Sequence, residues 1–247
     1  GFMLMRIDKF LSQLKIATRS ESRKLFAAGR VMVNRETVKN GSFRFDPEKD
    51  QLYVDGNPVS YEPYQYWMLY KPAGCITATE DAKEQTVMQF LPPLRHRDLS
   101  PVGRLDKDTE GLLLITDDGA LNHALLAPGK HVEKEYFARV RGLVTEATVR
   151  QFAQGLEIGE KRPTAPAVLE AVSSHPDAGE GWCEVRVTVT EGKFHQVKRM
   201  FQAVGMEVLY LKRLRMGTLV LDEQLKPGEC RLLMEEEIRR LKSDHGK

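Results

Sequence analysis

Residues 103–116 constrain the fold of this 247-residue chain more than any other stretch. Their apolar part, residues 112–115, lies between Gly111 and a turn-like segment, which is typical of a buried β-strand. The polar loop before this strand carries Asp106 between two cations. Because the strand anchors the loop at the edge of a core, neighbours can fix the orientation and ionisation of Asp106, as a catalytic carboxylate requires. The alternative is a structural ion-pair loop that caps the strand.

The composition indicates a folded protein of one large or two unequal domains, and we favour two. Hydrophobic residues make up 41% of the chain and charged residues 29%, which leaves enough apolar side chains for a core and does not indicate disorder. Apolar runs stay well short of the roughly 18 residues needed to span a bilayer, and no secretory signal pattern is visible. We therefore expect a cytoplasmic protein.

Cysteine and histidine usage argues against disulfide and metal chemistry. Cys75, Cys183 and Cys230 are odd in number and far apart, so they support neither a disulfide framework nor a zinc site. The six histidines show no ligand spacing. Glycine-rich nucleotide-binding motifs, the serine nucleophile elbow and the zinc-protease motif are also missing from the sequence. Of the catalytic chemistries considered, the one that the sequence still allows is carboxylate chemistry.

Positive charge is concentrated in two regions. Residues 6–44 contain ten Lys/Arg and three Asp/Glu, a local balance of +7, and residues 186–215 contain seven Lys/Arg and two Asp/Glu. Such clustering is typical of one extended surface for a polyanion. The alternative is solvated charge with no partner.

The N-terminal region reads as two short helices followed by small strands. Apolar residues at 7, 10, 11 and 14 form one helical stripe, and Thr18 with Glu21 forms a capping-box pattern for a second helix that ends at Gly29. Its first turns carry Arg19, Arg23 and Lys24, where the helix N-terminus adds to their attraction for phosphate. Alternating residues near 31–33, 43–45 and 52–54 predict the strands.

This region resembles the small S-four RNA-binding domain of ribosomal proteins. The resemblance rests on residues 6–11, 18–25, 29–34 and 53–56 and gives a domain at 3–60. It implies structured RNA as a partner and no particular reaction. Residues 61–65 then read as a short linker, because the segment lacks periodicity and contains Pro63.

A larger domain is predicted at 66–244. Strands are expected at 66–70, 112–115, 134–141, 168–172 and 182–190, and helices at 120–127, 145–154 and 195–204. Strands outnumber helices and do not alternate with them regularly. The fold class is therefore α+β: a small helix-helix-strand RNA-binding domain, then a catalytic domain on a mixed, mainly antiparallel sheet with flanking helices.

Asp106 and Asp108 are the candidates for chemistry in this domain. Asp106 and Asp108 are two residues apart, so in an extended loop they point to opposite sides and one of them acts alone. An isolated aspartate can be a nucleophile when a cation holds it ionised and aimed. Lys198 or Arg199 could supply that cation; alternatively, both belong to an ordinary basic amphipathic helix.

At this point the chain resembles the pseudouridine synthases, specifically the RsuA-like branch that modifies ribosomal RNA. The resemblance covers about residues 66–242 and rests on motifs at 70–74, 103–114, 133–136 and 192–201. It implies that Asp106 is the catalytic aspartate, that Tyr136 stacks on the target uracil, and that Lys198 pairs with the aspartate. Arg104 would hold the RNA or fill the gap left by the flipped nucleotide. The remaining predicted RNA contacts are Arg19, Arg23, Lys24, Arg30, Lys71, Lys193, His195, Gln196 and Arg199.

The implied reaction breaks the N-glycosidic bond of a uridine, turns the base and rejoins it through carbon 5, without a metal or organic cofactor. Extruding the base from a helix costs a few kcal/mol, and stacking on an aromatic ring returns about 1–3 kcal/mol. The expected partner is small-subunit ribosomal RNA, naked or in a partly assembled particle, bound by a monomer. The alternatives are a pseudouridine synthase for large-subunit RNA, a non-catalytic ribosome-assembly factor, and a hydrolytic carboxylate enzyme on nucleosides.

Overall fold

The computed structural model describes residues 4–47, 49–59, 64–92 and 98–246. The chain forms two compact units, one up to Gln65 and another that comprises Tyr66–Pro92 and Leu99 to the C-terminus. Residues 61–63 of the predicted linker 61–65 lie outside the described residues, as do residues 3 and 60 of the predicted first domain.

The first unit combines two helices with short strands. The helices are α1 (Ile7–Gln13) and α2 (Arg19–Ala27), and the strands are β1 (Met5–Arg6), β2 (Val31–Val33), β3 (Glu36–Thr37), β4 (Arg44–Phe45), β5 (Leu52–Val54) and β6 (Asn57–Val59). Strands β3-β2-β5-β6 form one antiparallel sheet, and β1 pairs with β4. The helices and strands share a core that includes Ile7, Phe10, Phe26 and Phe45. The predicted helix-helix-strand order is confirmed.

Helix α2 begins and ends where the sequence indicates. The Thr18 hydroxyl accepts a hydrogen bond from the Glu21 backbone N–H at 3.2 Å, which satisfies one of the free donors of the first turn. After the helix, Gly29 adopts a φ of +68°, a conformation that glycine accepts without steric cost.

The second unit is built on one nine-stranded sheet. Its strands are β7 (Tyr66–Lys71), β8 (Ser100–Pro101), β9 (Glu110–Thr116), β10 (Lys134–Arg141), β11 (Val168–His175), β12 (Trp182–Val189), β13 (Glu207–Met216), β14 (Leu219–Val220) and β15 (Cys230–Leu232). The main order is β11-β12-β10-β13-β9-β7-β15, with β14 beside β13 and β8 beside β9. Neighbours are antiparallel except β9 and β13, which run parallel. The predicted mixed, mainly antiparallel α+β fold is confirmed.

The sheet carries two hydrophobic cores. The helices are α3 (Gly119–Leu126), α4 (Glu146–Gln154), α5 (Gln196–Ala203) and α6 (Glu235–His245). Residues of α4 and α5 pack with β10, β11 and β12, whereas α3 and α6 contribute to a core with β7 and β9. Two short 3₁₀ turns, at Val87–Phe90 and Pro128–Lys130, lie between these elements.

Strand β13 and helix α6 were not predicted, and β13 is central to the sheet. It joins β10 to β9 through the only parallel pairing among the described strands, where Gly111 faces Arg213. Gly111 has a φ of +109°, and a Cβ at this position would overlap the backbone carbonyl of Arg213. The glycine therefore allows the two backbones to approach closely.

Candidate active site

The loop that carries Asp106 connects β8 to β9 and is held by hydrogen bonds to its backbone. The Thr77 hydroxyl donates to the Leu105 carbonyl at 2.9 Å and accepts from the Leu105 N–H at 3.2 Å. The Lys107 carbonyl accepts from the Gly74 N–H at 2.9 Å. Asp106 is thus fixed from both sides by the segment that follows β7.

Lys71 completes this anchoring and is not available to RNA. Its side chain is fully buried, and its ammonium donates to the carbonyls of Pro72, Lys107 and Thr109 at 3.0, 3.1 and 2.7 Å. Burial lowers the pKa of Lys71, an effect that neighbouring acids only partly offset. The prediction that Lys71 contacts RNA is wrong, because its three donors hold the catalytic loop instead.

The Asp106 carboxylate lies between two side chains of the 195–198 segment. Its Oδ2 is 3.2 Å from the Lys198 ammonium, and its Oδ1 is 3.2 Å from His195 Nε2. The Asp106 side chain remains 26% exposed, so it is neither sealed in the core nor free on the surface. Of the two candidate cations, Lys198 is the one that pairs with Asp106.

Lys198 also contacts Asp108, at 2.6 Å from its Oδ1. Burial on its own would lower the pKa of Lys198, but the hydrogen bonds with Asp108 and Asp106 outweigh it and raise the pKa. The hydrogen bond from Lys198 to Asp108 also lowers the pKa of Asp108. Lys198 is therefore held as a cation between two carboxylates, of which Asp108 is largely solvent-exposed.

Gln196 and Arg199 organise the neighbouring loop. The Gln196 amide donates to the Glu191 carboxylate at 2.9 Å and accepts from the Lys193 N–H at 3.1 Å, and its side chain is buried. Arg199 donates to the carboxylate of Glu160 and to the carbonyls of Ile158 and Phe194. The predicted RNA contact is wrong for Gln196, because its side chain is buried and its amide is already used within the fold. Arg199 remains partly exposed, so its RNA contact stays a prediction.

An aromatic and apolar wall faces Asp106. Tyr136 on β10, Val189 at the end of β12 and Leu211 on β13 line the same cleft of about 70 Å³ as the carboxylate. Arg104 is exposed at its rim, and Lys193 also lines it. The cleft thus offers a carboxylate, an aromatic ring and apolar side chains to one planar group, with cations around the opening.

Sequence reasoning missed Leu211 because it missed β13. The pattern at 208–211 mixes apolar and aromatic residues with β-propensity and could have indicated a strand. His195 was predicted only as an RNA contact, yet its ring lies against Asp106. A left-handed φ of +49° at His195, just before α5, turns the chain there.

The second basic region does not form one surface. Arg213 is paired across the strands with Tyr136, whereas Lys212 is paired with Phe137. Cross-strand partners share a face and successive residues alternate, so Arg213 and Lys212 lie on opposite faces of the sheet. The Lys212 ammonium lies 4.8 Å from the ring centroid of Tyr70. The prediction of a continuous basic surface is wrong for this region.

The first-unit cations that are predicted to contact RNA are exposed, but their environments differ. Arg19 and Arg23 line a cavity of about 210 Å³ together with Arg6. Arg30 forms a two-pronged ion pair with Asp55, with one contact at 2.7 Å, so its charge is partly neutralised. Lys24 is exposed outside that cavity.

Within the described residues, no group of three or more His, Cys, Asp or Glu side chains is arranged to hold a metal ion. The three cysteines are free, and burial raises the pKa of each thiol. No helix in the described part of the chain is long and apolar enough to cross a bilayer.

Comparisons with known proteins cover both units. The sequence matches the RNA pseudouridylate synthase family over residues 65–203 and the S4 domain over residues 5–52. It is 43% identical over 235 residues to YtzG, an uncharacterized RNA pseudouridine synthase of Bacillus subtilis. The aligned region covers 95% of this chain and 97% of that protein. It is 42% identical over 236 residues to the ribosomal small subunit pseudouridine synthase A of Escherichia coli, covering 95% and 98%. A crystal structure of a pseudouridylate synthase superposes with a TM-score of 0.65 at 39% identity and covers 96% of this chain and 99% of that chain.

Proposed function

Because this chain belongs to the RNA pseudouridylate synthase family, we propose that it converts one uridine of small-subunit ribosomal RNA to pseudouridine, with Asp106 as the catalytic aspartate. The small-subunit assignment is supported by the 42% identity to the Escherichia coli ribosomal small subunit pseudouridine synthase A. The observation that carries the site assignment is the Asp106 carboxylate, which lies 3.2 Å from both Lys198 and His195 in a cleft shared with Tyr136.

The residues of the cleft suit the chemistry of this isomerisation. The bond between N1 and C1′ of the uridine breaks, a bond between C5 and C1′ forms, and the proton lost from C5 is balanced by one gained at N1. Asp106 acts as the nucleophile, and Lys198, 3.2 Å away, orients its carboxylate. Tyr136 stacks on the uracil, while Arg104 at the rim holds the RNA or occupies the space that the flipped base leaves.

The reaction conserves composition and oxidation state, so it needs no oxidant, reductant or group donor. We accordingly propose that the reaction is cofactor-independent. We also propose that the protein is a monomer and that it acts in the cytoplasm. Arg19, Arg23 and Lys24 of the S-four unit provide phosphate contacts, and Lys193 adds one beside the cleft.

Tritium release from small-subunit ribosomal RNA labelled at uridine C5 tests the proposal. Wild type should release tritium, and Asp106→Asn should reduce the rate by at least about 10⁴-fold, because the nucleophile is lost. Asp108→Asn is the matched control, since it removes the other carboxylate on Lys198. An exposed ion pair contributes about 0–1 kcal/mol, so this variant should keep its rate within about tenfold.

Four outcomes would contradict the proposal. Equal rates for Asp106→Asn and wild type would refute the catalytic assignment. Free uracil as product would indicate a hydrolase. Pseudouridine mapping in cells with and without the protein would refute the substrate assignment if the missing modification lay in large-subunit RNA, and absence of any change would favour a non-catalytic assembly factor.

A further inference from the structure

A second, larger cavity adjoins the catalytic cleft and has no assigned role. It encloses about 560 Å³ and shares Arg104 and Tyr136 with the cleft. Away from the cleft it is bounded by Leu126, Pro128 and Val132, which give it an apolar wall. Another part of its lining is different, because it contains two buried cations.

Lys134 is the first of these cations. It begins β10, its residue is only 8% exposed, and it lines the cavity two residues before Tyr136. Among the described residues, its ammonium forms neither an ion pair nor a hydrogen bond with a side chain. Burial lowers the pKa of Lys134, and the nearby charge of Arg213 lowers it further.

Arg213 is the second cation, and part of its guanidinium lacks a partner. Its Nε donates to the Leu112 carbonyl at 2.9 Å, which fixes the side chain against β9. Its Nη2 is buried and meets no hydrogen-bond acceptor in the described part of the chain, although the residue is only 2% exposed. A buried donor without an acceptor costs about 1–3 kcal/mol and calls for an explanation, such as a missing ligand.

The nearest carboxylate does not neutralise this pair. Glu191 lines the cavity and weakly raises the pKa of Lys134. Its Oε2, however, already accepts from the Ala165 N–H at 3.0 Å and from the Gln196 amide at 2.9 Å. The cavity therefore keeps a net positive charge in this part of its lining.

The chemistry of the cavity selects an anion with several oxygens attached to a partly apolar body. Arginine pairs with phosphate through parallel hydrogen bonds, and lysine binds phosphate as a point charge. The apolar wall admits a ribose or base next to that phosphate. The catalytic cleft shares Tyr136 and Arg104 with this cavity, so a nucleotide bound here would be next to one whose base is in the cleft.

We propose that this cavity binds the phosphodiester of a nucleotide adjacent to the target uridine, with Lys134 and Arg213 as its phosphate ligands. The proposal rests on the proposed function, because it takes the RNA strand through the catalytic cleft. Bound there, the phosphate supplies the acceptor that Arg213 Nη2 lacks and relieves the repulsion between the two cations. It also places the neighbouring nucleotide, and so contributes to the register of the target.

Lys134→Met tests the proposal without removing the hydrogen bond of Arg213 to β9. Binding is measured in the Asp106→Asn background with a small-subunit ribosomal RNA transcript, so that turnover does not interfere. The RNA affinity falls as the salt concentration rises, and each phosphate contact makes the plot of log K against log salt concentration steeper by about 0.7–0.9. Lys134→Met should therefore make this plot shallower by that amount. Lys134→Arg should retain the wild-type slope. Lys161→Met, which alters an exposed lysine outside the cavity, serves as the control for lost charge alone.

Single methylphosphonate linkages, which lack the phosphate charge, then locate the contact. In short RNAs spanning the mapped uridine, one flanking linkage should weaken binding by more than tenfold when neutralised. In Lys134→Met the same substitution should have a smaller effect, because Arg213 is then the one remaining ligand of that phosphate. The arms with the methylphosphonate on the 5′ or the 3′ side distinguish the two neighbouring nucleotides.

An unchanged salt slope in Lys134→Met would overturn the proposal, as would a methylphosphonate effect that is equal in the presence and absence of Lys134. These readouts are separate from catalysis. If wild type releases tritium and the Lys134 slope is unchanged, the phosphate site fails and the proposed function stands. If wild type releases none while the slope falls, the RNA site stands and the catalytic proposal fails.

Discussion

Replacing Lys71 by methionine should destabilise the second unit and slow catalysis without weakening phosphate contacts. The ammonium of Lys71 donates to the carbonyls of Pro72, Lys107 and Thr109. Two of these carbonyls belong to the loop that carries Asp106. Methionine has a similar length and no donor, so the substitution leaves the three oxygens without their charged partner.

The magnitude follows from the buried hydrogen bonds. A hydrogen bond to a charged group contributes about 1.5–3 kcal/mol, so three contribute about 5–9 kcal/mol before the cost of burying the charge. Taking the ammonium out of water costs several kcal/mol, and the lowered pKa of Lys71 reflects that cost. The expected net loss of unfolding free energy is about 2–5 kcal/mol, a large part of the stability of an ordinary domain.

Urea unfolding followed by tryptophan fluorescence measures this loss in the correct unit, because Trp67 and Trp182 both lie in it. Lys161→Met, at an exposed lysine, is the control and should stay within about 0.5 kcal/mol of wild type. Tritium release, measured at a temperature where both variants are folded, should be reduced only in Lys71→Met. The salt dependence of RNA binding should match wild type in that variant.

The opposite pattern would refute the reasoning. If Lys71→Met unfolded at the same urea concentration as the control and its salt slope fell by about 0.7–0.9, Lys71 would be a phosphate contact and not a loop anchor.

Two further substitutions test other parts of the second unit. Gly111→Ala should cost more than about 3 kcal/mol of unfolding free energy, because its φ is +109° and the new Cβ would overlap the Arg213 carbonyl. Gly119→Ala, where a Cβ meets nothing within 4 Å, should be neutral or slightly stabilising by the same urea assay, and equal losses in both would contradict this account. Glu237→Gln tests the ion pair between Arg231 and Glu237 at the start of α6. Burial alone would raise the pKa of Glu237. Hydrogen bonds from Arg231 and a backbone N–H outweigh the effect of burial and lower this pKa below its ordinary 4.5. The ionised form is therefore stabilising above pH 4.5, and the stability difference between wild type and Glu237→Gln should shrink as the pH falls through the lowered pKa; a difference that is constant from pH 7 to pH 3 would contradict it.

Local patterns in the sequence were sufficient for most elements of the fold. Strand β10 occurs at Lys134–Arg141 as predicted, and α2 begins after its predicted Thr18 cap. Both depend on interactions within a few residues, namely alternating burial and a side chain that accepts from the next turn. Strand β13 was missed because its Lys and Arg residues were interpreted as surface charge.

The loop of the candidate nucleophile was also visible in the sequence, because it precedes a buried strand, and the family resemblance then selected Asp106 over Asp108. The sequence did not show which cation pairs with this aspartate. Lys198 and Arg199 are adjacent and chemically similar, and only the direction in which α5 presents each side chain distinguishes them. The structure turns Lys198 towards Asp106 and Arg199 towards Glu160.

The sequence by itself determined the fold class, the two-part organisation of its patterns and the residue types available for chemistry. Tertiary structure alone decided which cations are free to meet RNA. Lys71 and Arg213 are both buried, yet the three hydrogen bonds of Lys71 are made within the protein, whereas Arg213 lines a cavity and its Nη2 has no acceptor among the described residues. The physical reason is that burial and hydrogen-bond partners arise from contacts between distant segments, such as the pairing of β9 with β13 about a hundred residues further along the chain. No local pattern of residues specifies such a contact.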